Sequence, residues 1–196
     1  MVSIEQTAKK YRGRKASTYD AIRTKQQRWD LENAAVTRML SVIRPKSVLD
    51  CPVGTGRFLK MYADIGVRSV QGVDVSSEML ALAHRKKPRS ITVELEKGDA
   101  TNIDCDDRSV DVAVCVRFLD LIDENAMRLV MSELMRVSKR AIVLTIRLGD
   151  EYVPKVNTAT HHRKKFLSVV SKHGWRVEET VPIFLAGWVV MRLGLP

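Results

Sequence analysis

Apolar positions along this chain follow two different spacings, and they alternate. Short runs rich in β-branched residues predict strands at 48–50, 69–74, 91–95, 109–119 and 140–146. Apolar residues recurring every three or four positions predict a helix ending before Pro45, and further helices at 124–137 and 162–173. Runs at 175–183 and 188–193 predict a final hairpin. This alternation predicts an α/β fold with a mostly parallel sheet between helices.

The end of the first predicted strand carries the most specific pattern in the chain. The strand ends in Asp50, and a turn containing Gly54 and Gly56 follows before the next helix. Glycine has no Cβ, so such a turn can be tight and can approach a ligand closely. The helix start presents free N–H groups to an anionic group. A dinucleotide fingerprint needs a third small residue where this chain has Leu59, which disfavours NAD.

Acidic residues also follow the next two predicted strands. Asp74 comes twenty positions after Gly54, where its carboxylate can accept hydrogen bonds from both ribose hydroxyls. Asp99 follows the third strand and can accept a hydrogen bond from an adenine amine. The carboxyl ends of parallel strands meet at one edge of a sheet. These acids therefore predict a nucleoside site that does not require a pyrophosphate.

The glycine turn and the two later acids resemble those of the class I S-adenosylmethionine-dependent methyltransferases, over residues 28–196. The resemblance implies a Rossmann-like, doubly wound, seven-stranded sheet whose last strand is antiparallel, with S-adenosylmethionine as cofactor and S-adenosylhomocysteine as product. It implies that the glycine turn holds the amino-acid part of the cofactor, Asp74 the ribose and Asp99 the adenine. One departure is Pro52, which stands where many members have the first glycine, so one backbone donor is absent. The residues expected at the cofactor are Asp50, Pro52, Gly54, Gly56, Arg57, Asp74, Val75, Met79, Asp99, Ala100, Val116 and Arg117.

The resemblance also indicates what catalysis would need. The cofactor carries an already activated methyl group, so the protein aligns the acceptor and, for a weakly acidic acceptor, removes its proton. Candidate bases are His161 and His162, with Asp120 after strand four as another. Many relatives have His where Asp120 stands, so a copied role for this residue does not follow from the resemblance.

The net charge of +10 is concentrated in two segments. Residues 1–28 carry a net charge of +6, residues 155–177 carry another +6, and the rest of the chain sums to −2. In the resembling fold both segments lie beside the transferred methyl group, with Tyr11, Tyr19 and Arg117 on the substrate side. This favours an anionic substrate or a nucleic-acid backbone. The alternative is a solvated arm and a basic helix face. We expect residues 1–28 to form a basic arm and residues 29–196 a single domain.

Several functional classes are disfavoured. The three cysteines form no CxxC pair, so neither a disulfide framework nor a metal site is expected, and a reducing cytoplasmic location fits. The apolar run at 183–191 is too short to span a bilayer, so no membrane partner is expected. After strand four the chain lacks the Asp/Asn-Pro-Pro-aromatic signature of enzymes that methylate exocyclic base amines. It also lacks the Pro-Cys of cytosine-C5 enzymes.

Three functions remain open. The favoured interpretation is a methyltransferase that acts on a small molecule. The second is an RNA or protein methyltransferase recruited by the basic arm. The third is a non-catalytic S-adenosylmethionine-binding subunit. A nicotinamide dehydrogenase is the least favoured, and the oligomeric state stays open.

Overall fold

The computed structural model describes residues 13, 18–151, 153–154, 159–184 and 187–196. Tyr11 and most of the predicted basic arm lie outside these residues. The helices in the described part are α1 (Tyr19–Arg23), α2 (Gln27–Ile43), α3 (Leu59–Asp64), α4 (Ser77–His84), α5 (Glu124–Val137) and α6 (Arg163–Lys172). The strands there are β1 (Ser47–Asp50), β2 (Ser69–Asp74), β3 (Thr92–Lys97), β4 (Val110–Cys115), β5 (Ser138–Gly149), β6 (Val153–Pro154), β7 (Ala159–His162), β8 (Arg176–Phe184) and β9 (Trp188–Gly194).

Seven of these strands form the predicted sheet, in the order β3-β2-β1-β4-β5-β9-β8. The pairs from β3 through β5 are parallel, whereas β9 is antiparallel to both of its neighbours. The Rossmann-like sheet with an antiparallel last strand is therefore confirmed. Two short strands extend it, because β7 pairs in parallel with the end of β5 and β6 pairs with β7.

The central strands are buried on both faces, and their side chains alternate between two cores. Val112 and Val143 pack in the core under α2, α3 and α4, whereas their neighbours Ala113 and Leu144 pack in the core under α5 and α6. Successive residues of a strand point to opposite faces, so near-continuous apolar runs supply both cores. The result is a three-layer arrangement in which the sheet ends remain free to form a site.

Some element bounds differ from the prediction. α5 has the predicted bounds, whereas β5 extends several residues beyond the predicted 140–146 at both ends. β4 stops at Cys115 rather than continuing to 119, because Arg117 adopts a left-handed conformation (φ +60°) before a 3₁₀ turn, Leu119–Leu121. Between the predicted strand at 140–146 and the predicted helix at 162–173, the structure contains the short strands β6 and β7.

The register places the functional strand ends together. Asp50, the last residue of β1, pairs with Gly72 on one side and Val114 on the other. Asp74 ends β2 two residues beyond that pairing. The carboxyl ends of β1, β2 and β4 therefore border one cleft.

Candidate functional site

The glycine turn after β1 forms one wall of this cleft. Both glycines have positive φ angles, +55° at Gly54 and +72° at Gly56, which other residues rarely adopt. A Cβ on Gly54 would meet no heavy atom within 4 Å, so this residue borders open space. A Cβ on Gly56 would lie 3.0 Å from the Ala83 Cα, so this glycine allows the turn to pack on α4. Gly54 thus serves the cleft and Gly56 the packing behind it.

Asp74 connects the turn to the end of β2. Its Oδ2 accepts a 2.9 Å hydrogen bond from the Gly54 N–H, and its Oδ1 accepts one of 2.8 Å from the Ser76 N–H. Burial raises the pKa of Asp74 to about 6, although the two N–H groups oppose the rise. A carboxylate has about four acceptor positions, so Asp74 retains capacity for a ligand hydroxyl.

Asp50 is the more deeply buried of the two acids at the strand ends, with 2% of its surface exposed. Its Oδ2 has no hydrogen-bond partner within the described residues. Burial raises the pKa of Asp50 to about 7, and the Tyr62 hydroxyl and the Arg57 charge oppose this rise. An unpartnered buried carboxylate oxygen is costly. A ligand that brings an ammonium group would relieve that cost.

Most predicted cofactor residues lie along the cleft. The complete lining is Tyr19, Asp50, Pro52, Val53, Gly54, Thr55, Arg57, Phe58, Asp74, Val75, Ser76, Met79, Val116, Arg117, Phe118 and Leu121. Gly56, Asp99 and Ala100 are not part of it. Asp99 instead accepts 2.8 Å hydrogen bonds from the N–H and the hydroxyl of Thr101, through the same oxygen, Oδ1. The predicted contact of Asp99 with adenine stays a prediction.

Helix α1 lies against the glycine turn. Asp20 accepts a 2.7 Å hydrogen bond from the Thr55 hydroxyl and also pairs with Lys86, just after α4. Tyr19, predicted on the substrate side, lines the cleft. The first described helix is therefore part of the site, and the predicted boundary between residues 28 and 29 falls inside α2.

A buried cluster of charges forms the opposite wall of the cleft. Glu32 of α2 is fully buried and accepts a 2.9 Å hydrogen bond from Arg57 Nη2. It also accepts bonds of 2.8 and 2.9 Å from Arg117 Nε. The Arg57 guanidinium stacks on the Trp29 ring at 3.9 Å. Glu32 was not predicted, yet its signal is in the sequence: it lies on the apolar stripe of α2 formed by Trp29, Val36 and Met39.

Asp120, another candidate base, interacts electrostatically with this cluster, although it is not among the residues that line the cleft. It lies in the 3₁₀ turn, is 3% exposed, and its Oδ1 has no hydrogen-bond partner among the described residues. Burial raises the pKa of Asp120 to about 6, and the positive charges of Arg28 and Arg117 oppose the rise. Near neutral pH this carboxylate is mostly ionised and can accept a proton.

The two histidines occupy different environments. His161 is fully buried in β7, where its Nε2 donates a 2.6 Å hydrogen bond to the Leu119 carbonyl, and burial lowers its pKa. His162 caps α6: its Nδ1 accepts a 3.1 Å hydrogen bond from the Lys164 N–H. His162 lines a groove between α5 and α6. Neither histidine lines the cleft with Asp50 and Asp74.

Comparisons with known proteins agree with this geometry. Residues 48–141 match a family described as methyltransferase domain. An uncharacterized methyltransferase-like protein of Schizosaccharomyces pombe is 29% identical over 140 residues, which are 69% of this chain and 52% of that protein. The chain thus spans about half the length of the curated relative it matches.

Solved structures share the fold at low sequence identity. Magnesium protoporphyrin IX methyltransferase of Synechocystis, with bound S-adenosylmethionine, has a TM-score of 0.76 and 12% identity, with 98% of this chain and 97% of that one covered. The 1,6-didemethyltoxoflavin-N1-methyltransferase of Burkholderia thailandensis, with bound substrate and S-adenosylhomocysteine, has a TM-score of 0.72, 19% identity and coverages of 100% and 91%.

In the matched region and in its fold, the chain is similar to the class I S-adenosylmethionine-dependent methyltransferases. The cofactor of this family is S-adenosylmethionine. The residues present fit that cofactor: Asp50 offers an unpartnered buried oxygen for its ammonium group, and Gly54 leaves open space that a Cβ would fill. No helix in the described part of the chain is long and apolar enough to cross a membrane.

Proposed function

We propose that this protein transfers a methyl group from S-adenosylmethionine to a small, anionic acceptor. The observation that carries the proposal is the junction of β1 and β2. There an unpartnered Asp50 oxygen and the open edge of Gly54 lie in one cleft with Asp74. S-adenosylmethionine supplies, when bound, a methyl group that is already activated on a sulfonium.

The chain's own residues would hold this cofactor in distinct ways. Asp50 would accept hydrogen bonds from its ammonium group, and Asp74 would accept them from the ribose hydroxyls. Met79 and Val116 supply apolar surface in the same cleft. Gly54 allows close approach because it has no Cβ.

The acceptor would enter between the cofactor and the charge cluster. Two cleft-lining arginines, Arg57 and Arg117, make this side electropositive and favour an anion. For an acceptor that must lose a proton, we assign the role of base to Asp120 rather than to the histidines. Its unpartnered oxygen lies in the turn that follows the cleft residues Arg117 and Phe118, whereas His162 lies in the groove between α5 and α6.

A second candidate function rests on that groove. Several of its lining side chains are basic: Arg128, Lys164, Lys165 and Lys172, with His162 and His173 beside them. Such a surface suits a polyanion, and an RNA methyltransferase would use it to hold its substrate. The structural likeness to two methyltransferases that act on small molecules favours the small-molecule acceptor over this second candidate.

Calorimetric titration with S-adenosylmethionine, S-adenosylhomocysteine and NAD tests the cofactor. We expect the two sulfur compounds to bind and NAD not to bind; binding of NAD alone, or of none, would contradict the proposal. Transfer of a labelled methyl group is then measured across small carboxylates, phenols and RNA. Turnover on a small anion supports the proposal, and turnover on RNA alone supports the second candidate. Cofactor binding without any turnover leaves the non-catalytic interpretation.

A further inference from the structure

Several buried charges surround Arg117 on its side of the cleft. Glu32 and Arg117 have side chains that are 1% and 7% exposed, and the Arg57 side chain is 12% exposed. Burial and the nearby positive charge of Arg117 lower the pKa of Arg28, which is half-buried and stacks on Trp188 at 4.7 Å. Arg117 therefore lies among two further guanidinium groups and the acids Glu32 and Asp120, while Asp50 and Asp74 lie at the ends of β1 and β2.

Arg117 is held in one position by its surroundings. Its backbone has φ +60°, and its N–H donates a 2.6 Å hydrogen bond to the Thr145 hydroxyl of β5. Its Nε is bound to Glu32, and its Nη1 donates a 3.3 Å hydrogen bond to the Gln26 side chain. A guanidinium fixed in this way is preorganised to bind an anion, since little rotamer freedom is left to lose.

One donor of this guanidinium is left over. Arg117 Nη2 is buried and has no hydrogen-bond partner within the described part of the chain, although Arg117 lines the cleft. A buried donor without a partner is costly, and more so on a charged group. An anionic oxygen in the cleft would satisfy this donor with a charge-assisted hydrogen bond.

We propose that Arg117 Nη2, supported by Arg28, forms a subsite for a carboxylate group of the methyl acceptor. The inference rests on the proposed function, because it assigns the acceptor to the same cleft. It narrows the acceptor class to small molecules that carry a carboxylate near the methylated atom.

The sheet order separates this subsite from the ribose position. Asp74, the residue for the ribose, ends β2 on one side of β1. Arg117 follows β4 on the other side and bonds to Thr145 of β5. The cofactor also carries a carboxylate, in the amino-acid part that the glycine turn would hold, so the affinity of R117Q for S-adenosylhomocysteine distinguishes that carboxylate from one on the acceptor.

The test compares benzoate with its neutral isostere benzamide, titrated into the protein with and without S-adenosylhomocysteine and followed by ¹H–¹⁵N NMR. Three variants are measured beside the wild type: R117Q, E32Q and, as a control, K139Q, which changes an exposed residue near the amino end of β5, outside the cleft and the groove. We expect benzoate to bind at least tenfold more tightly than benzamide, and R117Q to abolish this preference. E32Q removes the competing carboxylate, so it should strengthen benzoate binding, whereas K139Q should leave it unchanged.

Benzoate affinity is expected to fall in R117Q and to rise in E32Q. These opposite changes show that Arg117 binds the anion directly, because both variants would lose benzoate binding if the two residues only stabilised the structure. If E32Q does not fold, D120N removes the other nearby acid and should raise benzoate affinity in the same way. Equal binding of benzoate and benzamide, or a preference that R117Q retains, overturns the subsite. So does a parallel loss of S-adenosylhomocysteine affinity in R117Q, which would assign Arg117 to the cofactor's carboxylate. Failure of the wild type to bind S-adenosylhomocysteine refutes the proposed function, whereas the titration without it still decides whether Arg117 binds the anion.

Discussion

The two walls of the cleft are built in different ways. On the cofactor side, Asp50, Gly54 and Asp74 come from adjacent strand ends, and the hydrogen bond between Gly54 and Asp74 joins residues 20 positions apart. On the proposed acceptor side, Glu32 and Arg117 are 85 positions apart and meet only in the folded chain. The first wall follows from the local rules of a parallel sheet. The second depends on how helix α2 packs across the strand ends, so it is where this protein can differ from its relatives.

The largest expected effect comes from a substitution that changes only the cofactor side of the cleft. Gly54→Val places a side chain in the open space beside the turn, and we expect binding of S-adenosylhomocysteine to fall below calorimetric detection. The matched control is Gly66→Val, because Gly66 also has a positive φ and open space around its Cβ but lies outside the cleft. Both variants carry a similar backbone strain of about 1–2 kcal/mol. Equal loss of affinity in both would contradict the assignment.

Asp120→Asn tests the proposed general base on the acceptor side of the cleft. A lost general base lowers kcat by about 10²- to 10⁴-fold. We expect a fall in this range with an acceptor that must be deprotonated, while S-adenosylhomocysteine affinity stays unchanged. His162→Ala is the comparison variant and should leave kcat unaltered. A large loss in His162→Ala with normal activity in Asp120→Asn would reverse the assignment of the base.

Asp74→Ala tests the ribose contact. It removes acceptors for the ribose and for the Gly54 and Ser76 N–H groups, at a cost of about 1–3 kcal/mol or roughly 5- to 150-fold in Kd. Calorimetry on the folded variant measures this loss. Asp64→Ala is a suitable control, because Asp64 is exposed and pairs only with Lys60 among the residues described. Unchanged affinity in Asp74→Ala would exclude the ribose role.

The smallest expected effect is a pH dependence of the cofactor side. The ammonium group needs an ionised Asp50, whose pKa is raised to about 7. We therefore expect the Kd of S-adenosylhomocysteine to weaken by roughly tenfold per pH unit below 7, since one proton is linked to binding. Calorimetry across pH 5.5–8 measures this slope. Asp50→Asn should flatten the profile, and an equal slope in that variant would assign the proton to another group.

The raised pKa values of Asp50 and Asp74 also affect the free energy of unfolding. The folded-state pKa values of Asp50 and Asp74, about 7 and about 6, lie above that of an unfolded aspartate, about 4. Their contribution is therefore fully present below pH 4 and is lost as the pH rises to 7. For the ligand-free protein, the fall in thermal midpoint between pH 5 and 7.5 should be smaller in Asp50→Asn than in the wild type.

Sequence patterns predicted the sheet well, because buried parallel strands have continuous apolar runs and α5 has both a capping Asp123 and a clear apolar face. They did not predict β6 and β7, since those strands form only by pairing with the end of β5. Nor did they predict where β4 ends. Arg117 takes a left-handed conformation that no local residue preference indicates, and contacts with Glu32 and Thr145 hold it there.

The residues of the site also differ in how far the sequence alone could predict them. Asp50, Gly54 and Asp74 were predicted from the sequence and line one cleft, while their contacts with a cofactor stay predictions; the ion pairs of Glu32 became visible only in the folded structure. A buried acid on the apolar stripe of a helix is the signal that could have indicated Glu32.

Because α1 contacts the glycine turn, a truncated protein must retain α1 to keep the whole cleft. The family match begins only at residue 48, yet Tyr19, Asp20 and Glu32 all precede it and complete the cleft or its supports. A fragment cut at the start of the matched region would keep the central strands but lose one wall and the counter-charge of two arginines. The smallest unit that keeps the whole cleft is thus larger than the region that matches the family model, because α1 and α2 precede that region.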